Sequence, residues 1–123
     1  GDATDFGDLT VGRGSVAGVS SSVRGVISGG DTNVRVNTID YITIASTGDA
    51  SDFGDLTVAT GDHVGVSGSN TGLFAGGIQD NYPGTDTIEF VTIASAGNAA
   101  DFGNLLSART LLGGASSAHG GLG

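Results

Sequence analysis

The sequence predicts an all-β fold of tandem repeats, each of about four antiparallel strands and 47 to 49 residues long. A ten-residue phrase recurs three times, a nine-residue β-branched run recurs twice, and no stretch carries helical periodicity of useful length. Gly1-Asp2-Ala3-Thr4-Asp5-Phe6-Gly7-Asp8-Leu9-Thr10 returns as Gly48-Asp49-Ala50-Ser51-Asp52-Phe53-Gly54-Asp55-Leu56-Thr57. It comes back more loosely as Gly97-Asn98-Ala99-Ala100-Asp101-Phe102-Gly103-Asn104-Leu105-Leu106. The spacings are 47 and 49 residues.

Taken in order along a repeat, a first strand is expected within residues 11–19 and again within 58–66, where Val and Gly alternate with polar residues. The second strand runs from Arg24 to the pair Gly29 and Gly30, and its counterpart from Thr71 to Gly76 and Gly77. A glycine pair admits positive φ and close backbone approach, so each is expected to end its strand in a tight bend. The third strand is the clearest. Residues 38–46 match residues 87–95 position for position, and both are rich in Ile, Thr, Val and aromatics, the residues of a pleated, covered surface. The two-residue difference in period falls before this strand, across residues 31–37 and 78–86, where a loop tolerates insertion. The fourth strand carries Asp-Phe-Gly-Asp-Leu, with Phe6, Phe53 and Phe102 expected to pin it to the core. The organisation is thus one repeat domain over residues 1–123, with a leading fourth strand at 1–10, repeats at 11–57 and 58–106, and a partial repeat at 107–123.

A hydrophobic strand ending in Gly-Gly, a loop, a strand with an aromatic, and a period near 50 residues together resemble the kelch type of β-propeller blade. The resemblance falls on Gly29, Gly30 and Tyr41, and on Gly76, Gly77 and Phe90. It departs where a kelch unit carries Trp shortly after its aromatic, for Thr47 and Ala96 stand there. A β-solenoid is the alternative architecture. The wording of the repeat is also similar to repeats in structural and fibre-like proteins of marine and cyanobacterial tailed phages. That likeness implies a virion or extracellular location and a role in an appendage.

Closed propellers hold about four to eight blades, and this chain offers about two and a half repeats. Uncovered sheet faces and edges must then be met by other molecules or by further repeats. Both remain open, and association into a homo-oligomer is the favoured expectation.

Thirteen acidic residues, twelve of them Asp, face four Arg and no Lys, for a net charge of -9. Such a surface repels phosphate backbones and argues against nucleic-acid binding. No apolar run approaches the roughly 20 residues of a membrane-spanning helix. With no Cys there are neither disulfides nor thiolate metal ligands. Asp in place of Glu is a preference of turns, where the short carboxylate bonds nearby backbone.

Asp49, Asp52 and Asp55, like Asp2, Asp5 and Asp8, could offer hard oxygens to Ca²⁺, but strand alternation sends Asp52 and Asp55 to opposite faces. Turn and cap roles are the simpler reading. The Asp-Phe-Gly triplets lack every partner of the kinase magnesium segment, and the chain has no Lys for it. His63 and His119 occupy different phases of the repeat, which argues against a symmetric metal site and for single surface residues. Arg13 and Arg109 share a phase, with Thr60 between them, and are expected to pair with the acidic strand of a neighbouring blade. With no acid, base and nucleophile converging, no catalytic role is expected. The function read from the sequence is a structural and interaction module that self-assembles. The alternative is a glycan-binding, lectin-like propeller for attachment to a host surface, its aromatic supply restricted to residues such as Tyr41, Phe74, Tyr82 and Phe90.

Overall fold

The turn chemistry and the β-branched runs fold the chain into two antiparallel sheets of four strands each. A computed structural model describes residues 1–81, 83–110 and 113–114. The first sheet comprises β1 (Ala17–Ser20), β2 (Arg24–Ser28), β3 (Thr38–Thr43) and β4 (Ser51–Asp55). The second comprises β5 (Val64–Ser67), β6 (Thr71–Ala75), β7 (Thr85–Thr92) and β8 (Ala100–Arg109). Each sheet is a meander, with strands hydrogen-bonded in chain order, and no helix occurs among the described residues.

Local signals account for the joints. Between β1 and β2, the Ser21 hydroxyl accepts from the amides of Val23 at 3.2 Å and Arg24 at 3.1 Å, closing a Ser-type turn. After β2 and β6 come the glycine pairs, all four with positive φ: 58° and 109° at Gly29 and Gly30, 67° and 99° at Gly76 and Gly77. The first strands are shorter than the 11–19 and 58–66 windows suggest. Ser15 and Asp62, at the same phase, adopt φ of 54° and 53°, so the chain bends left-handed before β1 and β5 begin. At the other end, β8 continues past Leu106 to Arg109.

Both sheets carry a β-bulge at the same phase. Ile39 pairs with Gly54 and Asp40 with Asp52, so Phe53 is the extra residue; likewise Ile88 pairs with Gly103 and Glu89 with Asp101, leaving Phe102 extra. The bulge re-aims that phenylalanine, and Phe53 meets Tyr41 edge to face with ring centroids 6.0 Å apart.

The core joins Ala17, Val19, Val26, Ile39, Phe53, Leu56, Phe74, Val91, Ile93 and Ala99. It lies within and between the sheets, for β1 packs against β5 and β6. Gly72 makes this approach possible, since a Cβ there would collide with Val19. The Arg24 guanidinium crosses from β2 to donate to the Ile93 carbonyl at 2.9 Å.

Candidate functional site

The recurring phrase does its work where one sequence copy meets the next. Gly48 N–H donates to the Phe6 carbonyl at 2.8 Å, Ala50 N–H donates to the Asp8 carbonyl at 2.8 Å, and Asp8 N–H donates to the Asp49 carboxylate at 3.0 Å. One copy later the same three bonds recur: Gly97 to Phe53 at 2.7 Å, Ala99 to Asp55 at 2.8 Å, and Asp55 to the Asn98 side-chain oxygen at 3.0 Å. A Gly-x-Ala segment of each copy is thereby clasped by the Phe-Gly-Asp segment of the copy before it. Glycine is required at the centre. A Cβ on Gly7 would overlap the Gly48 carbonyl oxygen, and one on Gly54 the Gly97 carbonyl oxygen. Asp49 and Asn98 are interchangeable because the bond needs an acceptor oxygen, which both side chains present.

Beside the first clasp lies an ion pair. Arg13 donates to Asp40 at 2.9 Å, with both side chains fully buried. The rest of the guanidinium is used on carbonyls, Nε to Gly29 at 2.7 Å and the terminal nitrogens to Val11 and Ile27 at 3.3 Å. Thr10 completes the carboxylate with its hydroxyl at 2.7 Å and its amide at 3.1 Å. Arg13 thus pairs with an acid in the third strand of its own repeat, not with the acidic strand of a neighbouring blade as expected. In the next copy Glu89 replaces Asp40 and accepts from the Thr57 amide at 2.6 Å, while Thr60, in the place of Arg13, bonds the Val58 carbonyl at 2.9 Å. Among the described residues no arginine pairs with Glu89. Among the described residues the Arg109 guanidinium donates to Ser107, at 3.2 Å.

Two expectations need correction. His63 is not a surface residue, being only 8% exposed between the sheets. Its Nε2 lies 2.8 Å from the Ser28 hydroxyl, its Nδ1 is buried without a partner, and its ring meets Phe74 edge-on at 5.8 Å. Burial lowers its pKa to about 4, against a smaller upward pull from Asp62. The sheets converge at this point because Gly29, beside Ser28, leaves room for the imidazole, where a Cβ would strike it. The second correction concerns Phe102. Phe53 is pinned to the core at 3% exposure and Phe6 is half-buried, but Phe102 is 59% exposed although it keeps an edge contact to Phe90 at 6.2 Å. Its clasp has no occupant among the described residues.

The acidic triplet does not converge. Asp49 is taken up in the clasp, Asp52 and Asp55 are exposed, and the described residues contain no group of three acids or histidines placed to hold a metal. The densest charge cluster is elsewhere: Arg35 pairs with Asp31 and with Asp62 at 3.5 Å, and its amide donates to Asp80 at 3.3 Å. The aromatics considered for glycan stacking are engaged internally. Tyr41 lies under the Arg24 guanidinium, 4.3 Å from its ring centroid, and Phe74 is buried. Tyr82 and His119 lie outside the described residues.

Sequence reasoning passed over Asp40 and placed His63 on the surface. The available signal for Asp40 was a lone acid between Ile39 and Tyr41 in an otherwise apolar strand, in a chain with only four cations. No protein-family model matches the sequence, and no curated protein matches it.

Proposed function

We propose that this chain is a non-catalytic structural and interaction module, its two sheets acting as kelch-like β-propeller blades of a self-assembling virion or extracellular appendage. The observation that carries the reading is the clasp, which spends the most repeated residues of the chain on joining one copy to the next rather than on presenting a chemical group. The blade reading draws support from three features. Each sheet is a four-stranded meander whose first strand faces the neighbouring sheet. A glycine pair with positive φ follows each second strand. An aromatic stands in each third strand, at Tyr41 and Phe90. Where kelch blades carry Trp, the bulged Phe53 and Phe102 supply the ring that meets that aromatic.

Two sheets do not close a propeller of about four to eight blades, so the module acts with further sheets. The acidic surface keeps such an assembly soluble and away from nucleic acid. Sedimentation velocity of the chain across a hundredfold concentration range, with images of the associated species, tests this. Rings, stacks or filaments are the expected outcome. A monomer at every concentration would overturn self-assembly.

A further inference from the structure

We infer that the pocket between the end of β3 and the start of β4 binds one ring of a neutral sugar, through polar groups that the first repeat carries and the second lacks. The pocket lies within a single repeat, so the site stands in one molecule whether or not molecules associate.

The volume of the pocket is about 200 Å³, that of about seven waters and enough for one pyranose ring. Its polar lining comes from Tyr41, Thr43, Ser46, Thr47, Asp49 and Ser51. Local structure sets them around the opening. Thr43 ends β3 and Ser51 begins β4, and Ser46 N–H donates to the Thr43 carbonyl at 3.2 Å to close the turn between them. Tyr41 is held in place by the Arg24 guanidinium over its ring and by the edge contact with Phe53. The clasp beside the pocket is filled, yet it occupies one oxygen of Asp49, which accepts from the Asp8 amide at 3.0 Å. The second carboxylate oxygen and the hydroxyls of Thr43, Ser46, Thr47 and Ser51 have no hydrogen-bond partner among the described residues.

The second repeat separates what the fold needs from what is additional. There the six positions hold Phe90, Thr92, Ser95, Ala96, Asn98 and Ala100. The structural part is kept: Phe90 makes the same edge contact with its bulged phenylalanine, Ser95 N–H closes the turn on the Thr92 carbonyl at 3.1 Å, and Asn98 supplies the acceptor oxygen of the clasp. The phenol, two hydroxyls and the negative charge are dropped. Strand, turn and clasp therefore form without those four groups, and in the first repeat they are available to a ligand.

Their chemistry selects its class. Each hydroxyl both donates and accepts, as the hydroxyls of a sugar do, and a carboxylate oxygen accepts from sugar hydroxyls. No cation lines the pocket and the chain carries a net charge of -9, which disfavours a ring bearing a carboxylate or sulfate. A single carboxylate falls short of the oxygen set that Ca²⁺ takes.

The test is an NMR titration of the isotope-labelled chain with the methyl glycosides of glucose, galactose, mannose and N-acetylglucosamine, and with glucuronic acid. At least one neutral glycoside should bind with a Kd of about a few millimolar, as a ligand of about a dozen heavy atoms does in an open site, and its shifts should centre on the amides of residues 43–51. Glucuronic acid should leave those amides unmoved. Giving the pocket the residues of the second repeat, by Tyr41→Phe, Thr47→Ala, Asp49→Asn and Ser51→Ala together, should weaken binding about tenfold or more. The second repeat already folds with these residues, so the spectrum elsewhere should hold. Thr47→Ala alone, at an exposed position, should weaken binding several-fold and serves if the fourfold variant loses its fold. Silence of these amides with every neutral glycoside would overturn the site, as would binding undiminished in the variants. Binding of glucuronic acid as tight as that of the neutral rings would overturn the ligand class.

Discussion

Lowering the pH should loosen the junction between the sheets at His63. The imidazole is held neutral, with a pKa of about 4 in the folded chain against 6.5 when solvated. Because the folded value is depressed, the unfolded chain binds a proton that the folded chain does not between those two values, and stability falls as pH drops from 6.5 towards 4. At about 1.4 kcal/mol for each tenfold ratio, that window is worth about 3 kcal/mol, a large part of the stability of a small domain. The assay is urea denaturation at half-unit intervals from pH 7.5 to pH 4, with His63→Val as the reference, since Val16 occupies the same phase of the first copy. Val deletes the titration and leaves the Ser28 hydroxyl without its ring partner, a constant offset with no slope. The difference between parent and variant should therefore shrink by about 3 kcal/mol as the pH falls across this window. Parallel curves would refute the reasoning, because His63 is the only titratable group in which the two chains differ.

Other consequences follow from the junctions. Asp40→Ala leaves the Arg13 guanidinium buried and unpaired, so it should cost about 3 to 5 kcal/mol in chemical denaturation, and a loss below about 1 kcal/mol would show that the pair is replaceable. Gly54→Ala should destabilise by more than about 2 kcal/mol, for it adds a backbone collision to an unfavourable φ, whereas Gly103→Ala carries only the φ cost of roughly 1 kcal/mol. Equal losses at the two positions in thermal unfolding would mean that the clasp carries no weight. Asn98→Asp should be neutral within about 0.5 kcal/mol, while Asn98→Ala should cost about 1 kcal/mol by stranding the Asp55 amide, and amide exchange at Asp55 reads the difference directly.

The eight strands were legible in the sequence because they depend on neighbours, but the leading strand expected at residues 1–10 is not one: the segment joins no sheet and bonds Gly48 and Ala50 instead. Ile39 to Thr43 are β-branched or aromatic except at Asp40, as a covered strand requires, Gly29 and Gly30 stop the strand before them, and chain-order pairing is what short links between antiparallel strands produce. The two-residue difference in period does not lengthen the loop, against expectation: residues 29–37 and 76–84 are equal in number, and the extra residues extend the start of β7 to Thr85. What escaped was the environment of single residues. His63 has polar and small neighbours in sequence, and nothing local announces that Ser28 and Phe74 come to it from two different sheets. Phe102 has the same flanking letters as Phe53, yet one is exposed and the other buried. The letters specify a bulge and cannot specify whether a partner segment fills the clasp beside it.

Composition and repetition by themselves determined that the chain is all-β, that it has no cysteine chemistry, and that its copies are built alike, since backbone preference and turn geometry act over a few residues. Only the tertiary structure decided that the ten-residue phrase is a joint, that Asp40 is the buried partner of Arg13, and that Asp49 is a hydrogen-bond acceptor rather than part of an acidic site. Those facts depend on groups 27 and 41 residues apart in the chain. Such distances close only when whole strands and sheets pack, and it is that packing which removes water from a carboxylate and sets which donor replaces it.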